Sequence, residues 1–129
     1  MSQSLRTPTS VVRGLGASRE GTDHYIKQRV TAIALIILVP WFIGSALLAA
    51  KGGFDAVSAW MAQPLNAIIL VLALGAAFYH MRLGMQVVIE DYIARVSTKQ
   101  ALLILNTFFA FGVFAATVLS VLKVWFAAA

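Results

Sequence analysis

The chain is predicted to be an all-α membrane protein, with three transmembrane helices running N-in and C-out and a short amphipathic helix on the outer surface. Composition is the first reason. Of its 129 residues 60% are hydrophobic and only 12% charged, with a mean hydropathy of +0.86, too apolar for a soluble domain whose surface must be largely polar. Periodicity and length are the second. Crossing roughly 30 Å of hydrocarbon takes about 20 apolar residues, and three stretches qualify: Val30 to Ala50, Leu70 to Ile89 within a longer helix, and Ala101 to Leu122.

Charge placement is the third reason. The net charge of +5 would suit a nucleic-acid binder, but Arg6, Arg13, Arg19, Lys27 and Arg29 gather before the first span. The first connection carries only Lys51, the second Arg95 and Lys99, and the tail Lys123. That bias places the amino terminus in the cytoplasm and makes the lipid bilayer, with no nucleic acid, the expected partner. Residues 1–20 read as a flexible cytoplasmic tail and residues 21–129 as a three-helix anchor domain. The basic, serine-bearing tail raises an organellar transit peptide as an alternative, but it lacks amphipathic periodicity, and a bacterial inner membrane is the expected location, with the mitochondrial inner membrane as the alternative. The sequence contains no cysteine, which excludes thiolate-held clusters and thiol redox chemistry from this chain.

The elements follow in order. Thr22 and Asp23 suit the start of a helix beginning near His24. Pro40 falls halfway along the first span, where it removes a backbone hydrogen bond, and Gly44, Ser45 and Ala46 are small enough for close packing against a neighbour. The Gly52-Gly53 break leads into Phe54, Val57, Trp60 and Met61, spaced as an amphipathic surface helix. Pro64 suits the first turn of the second helix, expected to run to Tyr92 or Ile93. In the third, Phe108, Phe109, Phe111 and Phe114 can face lipid or partner helices, Asn106 is expected to hydrogen-bond between helices, and Lys123 and Trp125 anchor the outer end.

The chemistry centres on His80. An ionisable side chain inside a bilayer costs several kcal/mol unless something binds it. At about 100° per residue, Gly84, Val87 and Asp91 share its face. A neutral imidazole in an apolar slot is a natural axial ligand for haem iron, and a glycine one turn away leaves room for the macrocycle. The alternative is a histidine hydrogen-bonded across helices. Asp91 and Tyr92 close the helix at the interface, where a phenol can donate to a quinone carbonyl and a carboxylate can relay protons; a Tyr there also serves as a plain interfacial anchor. Arg82 lies about 200° around the helix from His80 and is expected to meet a partner chain, a carboxylate or a haem propionate.

The stretch His80-Met81-Arg82-Leu83-Gly84-Met85-Gln86-Val87-Val88-Ile89-Glu90-Asp91-Tyr92 and the opening His24-Tyr25-Ile26-Lys27-Gln28-Arg29-Val30-Thr31-Ala32-Ile33 resemble the D-type membrane-anchor subunits of succinate dehydrogenase, respiratory complex II. The resemblance covers nearly the whole chain from Gly21. It implies that His80 supplies one axial ligand to a haem b shared with a C-type sister anchor. It further implies that Tyr92 hydrogen-bonds ubiquinone with Asp91 close by, and that Arg29 and His24 lie near the haem propionates or the quinone pocket. A flavoprotein and an iron–sulfur subunit would be the remaining partners, so this chain would be non-catalytic alone. A C-type anchor, another small b-type cytochrome subunit, and a haem-free transporter or assembly factor are the competing readings; Gly84 followed by Met85-Gln86, where C-type anchors place an Arg-His pair after the histidine, favours D.

Overall fold

A computed structural model describes residues 7–12 and 21–127. Its helices are α1 (Pro8–Val12), α2 (Gly21–Ala50), α3 (Gly53–Ala62), α4 (Pro64–Tyr92) and α5 (Val96–Ala127). There is no strand among the described residues. The described part of the tail holds the short helix Pro8–Val12, and residues 1–6 and 13–20, on which the expected flexible tail mostly falls, lie outside those described.

Helices α2, α4 and α5 are each long and apolar enough to cross a membrane. All overrun the spans read from hydropathy because polar ends such as Ser97 to Gln100 continue the helix beyond the hydrocarbon. α2 begins at Gly21, so Thr22 and Asp23 sit inside its first turn, and Lys27 pairs with Asp23 one turn on. Pro40 lies within α2 without ending it. α4 starts with Pro64 in its first turn, as expected, and Ile93 caps its end. Between α2 and α3 the backbone of Gly53 adopts φ +77°, a left-handed conformation that costs a residue with a Cβ.

The three long helices form a row. α4 packs against both α2 and α5, while α2 and α5 do not touch, and α3 lies against all three. α3 therefore closes one end. There Ala67, Leu70 and Val121 are buried beneath Trp60, Met61, Val71, Leu74 and Trp125. Trp60 meets Trp41 at a ring separation of 6.0 Å, and Asn66 Nδ2 donates to its carbonyl at 3.0 Å. In lipid such contacts stabilise by close packing, since moving an apolar side chain from lipid to protein gains little.

A row leaves wide flanks open. No residue in the apolar stretch of α2 is buried, and Phe108, Phe109 and Phe111 are exposed while Phe114 turns inward against Phe78, 6.3 Å away. Among the described residues nothing outside its own helix stands within 4 Å of where a Cβ on Gly44 would be, whereas Ser45 and Ala46 of the same small-residue stretch are half-buried.

Candidate functional site

Away from α3, a polar layer crosses the row. His80 on α4 faces α2, where Thr31 Oγ1 is 3.0 Å from its Nδ1 and Gln28 Nε2 is 3.4 Å from its Nε2. On the opposite flank Arg82 Nε donates to Thr107 Oγ1 of α5 at 3.1 Å, and Asn106 Nδ2 donates to the Arg82 carbonyl at 2.9 Å. Asn106 is thus an interhelical hydrogen bonder, and Arg82 meets α5.

The pattern of donors favours one tautomer of the imidazole. A hydroxyl has a single hydrogen, and that of Thr31 points into its own helix, with the Lys27 and Gln28 carbonyls at 2.9 and 3.1 Å. Its oxygen therefore accepts from His80 Nδ1–H. Nε2 keeps its lone pair, which faces the Gln28 amide nitrogen across a distance long for a hydrogen bond. This is the tautomer a metal-ligating histidine uses, with the far ring nitrogen oriented by a polar neighbour.

His24, Gln28 and Thr31 recur at i, i+4 and i+7, one stripe of α2. The imidazole of His24 and the amide of Gln28 are not self-sufficient: among the described residues, His24 Nε2 and Gln28 Oε1 are buried without a hydrogen-bond partner. Buried polar atoms of this kind point to a missing partner. His24 also lines a polar cleft of about 510 Å³ with Asp23, Lys27, Gln86 and Glu90.

Gly84 faces the same side as His80. A Cβ there would meet only the Gln28 amide nitrogen at 3.6 Å, the movable end of a side chain, so the space beside the imidazole is bounded by no backbone. Thr31 and Gln28 flank Val30, where the apolar stretch of α2 begins, so the ring stands level with that boundary; along α4 it is about 18 Å from Tyr92. Asp91 and Tyr92 are exposed at the end of α4, Tyr92 at 82%. The Arg29 guanidinium lies over the Tyr25 ring, 5.1 Å from its centroid.

Of the residues singled out from sequence, the chain therefore brings His24 and Gly84 to the α2 flank beside Gln28, which with Thr31 touches His80, and leaves Arg29, Asp91 and Tyr92 open to the surroundings. Gln28 and Thr31 were missed as site residues. The signal available was three polar side chains repeating at helical spacing where an apolar span begins.

The profile described as succinate dehydrogenase/fumarate reductase transmembrane subunit matches residues 3–124. A protein of Rickettsia bellii named succinate dehydrogenase hydrophobic membrane anchor subunit is 32% identical over 104 residues, covering 81% of this chain and 83% of the relative. One of the same name from Paracoccus denitrificans is 31% identical over 112 residues, 87% of this chain and 86% of its own length. A third, from Rickettsia conorii, is 33% identical over 95 residues, or 73% and 75% of the two chains. No solved structure matches the sequence. A match spanning nearly the whole chain, to relatives that share its length, places it in the family of succinate dehydrogenase/fumarate reductase transmembrane subunits.

Proposed function

We propose that this chain is a membrane-anchor subunit of a bacterial succinate:ubiquinone oxidoreductase, seated N-in and C-out in the inner membrane. It docks a flavoprotein and an iron–sulfur subunit, and with a C-type sister anchor it binds haem b and ubiquinone.

The observation that carries the haem reading is the His80 ring, whose Nδ1–H is held by Thr31 and whose Nε2 lone pair has only a long amide contact. The donor set fits haem iron. His80 would supply one axial ligand, and Gly84 leaves the flank beside it unobstructed. His24, whose buried Nε2 has no partner among the described residues, would donate to a propionate, and Arg29, which lies over the Tyr25 ring, would serve the same groups or the quinone pocket. Haem b, when bound, supplies a one-electron store between the iron–sulfur chain and quinone.

At the end of α4, Tyr92 would donate its phenolic hydrogen to a quinone carbonyl, and Asp91 would pass protons from water. Their exposure supports this reading, because a site shared with partner subunits must be open on the isolated chain. The test is a purified complex carrying His80→Ala. The b-type absorption of the wild-type complex should disappear while the subunits still co-purify. An assembled variant with an unaltered haem spectrum would refute the assignment.

A further inference from the structure

The end of α4 is charged the wrong way for a helix C-terminus. Its last turn carries Glu90 and Asp91 and no base, so two acids stand where the helix presents unpaired carbonyls and negative partial charge. α5 begins with the opposite mismatch. Its first turn holds no acid, and Lys99, whose backbone N–H donates to the Arg95 carbonyl at 2.9 Å, brings a cation close to the positive end.

One contact answers both. Lys99 reaches back across residues 93–95, and its Nζ donates to the Glu90 carbonyl at 2.8 Å. It takes the backbone rather than the carboxylate, which accepts from Gln86 at 2.8 Å. Lys99 is half-buried, whereas Glu90, Asp91 and Arg95 are exposed. The bonded carbonyl belongs to the peptide that joins Glu90 to Asp91, so the bond fixes the plane from which Tyr92 follows. Tyr92 is 82% exposed; its ring has little packing within this chain to aim it, and the backbone must do so. The second tie on that backbone is the Ile93 N–H, which donates to the carbonyl of buried Ile89 at 3.1 Å.

We propose that Lys99 is a positioning residue for the quinone site: by capping α4 from α5, it fixes where the Tyr92 phenol stands. This rests on the reading of Tyr92 as hydrogen-bond donor to the quinone. A bond from an ammonium to a carbonyl is stronger than one between neutral groups, and without it the last turn of α4 is free to fray. A binding group displaced by a small distance loses much of its effect on the reaction it serves. Lys99 itself need not touch the quinone.

Steady-state reduction of a short-chain ubiquinone analogue by the intact complex, taken per mole of co-purified enzyme, tests this. Lys99→Met keeps the stem and deletes the donor; it should lower kcat/KM about fivefold, chiefly through KM, and Lys99→Arg should restore it. Combined with Tyr92→Phe the losses should not multiply: the double variant should be no worse than Tyr92→Phe alone, because the cap acts through the phenol. Multiplied losses, no rescue by Lys99→Arg, or wild-type kinetics in Lys99→Met beside an impaired Tyr92→Phe would overturn the positioning role and leave the quinone reading standing. Unchanged kinetics in Tyr92→Phe would overturn that reading and the positioning role with it. Should Lys99→Met fail to assemble, Lys99→Gln, shorter and uncharged, carries the same comparison.

Discussion

The two ends of the row are built on opposite plans. At the α3 end, Ala67, Leu70 and Val121 pack beneath two tryptophans and a short helix ties all three spans together. At the other end the spans meet through Thr31, His80, Arg82 and Thr107, leave His24 Nε2 and Gln28 Oε1 without partners, and finish in an exposed Tyr92. The apolar end is held together by packing within one chain. The polar end leaves buried polar atoms without partners among the described residues.

This contrast can be broken by mutation, and the largest effect is expected at the apolar end. Leu70→Ala removes a side chain only 7% exposed and should destabilise the subunit by about 3 kcal/mol through the cavity left behind. It should lower the unfolding midpoint of the purified complex while leaving the haem spectrum unchanged. A spectral change would show that the ends are coupled.

Thr31→Val keeps the volume and deletes the acceptor of His80 Nδ1–H. Losing a partner that orients a metal ligand typically costs 10–100-fold in affinity, so haem occupancy after reconstitution should fall on that scale, and Thr31→Ser should restore it. Redox titration of the variant should also show a shifted haem potential. A Thr31→Val complex with wild-type occupancy and potential would mean that the hydroxyl does not orient the ring.

On the proposed contact between Tyr92 and quinone, Tyr92→Phe would delete one hydrogen bond, worth about tenfold in quinone reduction. Succinate oxidation with a soluble artificial acceptor should stay at the wild-type level. Equal loss of both activities would instead indicate a role for Tyr92 in assembly.

The smallest effect is expected from Gly44→Ala. Among the described residues nothing outside its own helix stands within 4 Å of the added methyl, so the stability of the subunit should change by less than about 0.5 kcal/mol. A larger loss, seen as weaker co-purification of the sister anchor, would place a partner helix against this face of α2.

Much of this was legible in the residues. Pro64 opened α4 as its fixed φ favours, the Gly52-Gly53 break separated α2 from α3, and the helix expected to reach Tyr92 or Ile93 ends at Tyr92. These are local preferences, carried by a few neighbouring residues. The start of α2 was less legible, because Thr22 and Asp23 suit an N-cap and a first turn equally well, and the helix extends back to Gly21.

Sequence by itself determined that three segments are long and apolar enough to span a bilayer, and that a histidine and an Asp-Tyr pair share α4. Both facts depend on composition and on spacing along one helix. Only the tertiary structure decided which flank each polar group faces: that His80 turns to Thr31, that Arg82 turns to Thr107, and that Arg29 stays with Tyr25. The apolar stripes of these helices are nearly uniform around their circumference, so periodicity cannot set their rotation. That rotation is set by the few interhelical hydrogen bonds and small-residue contacts, which exist only once the helices are side by side.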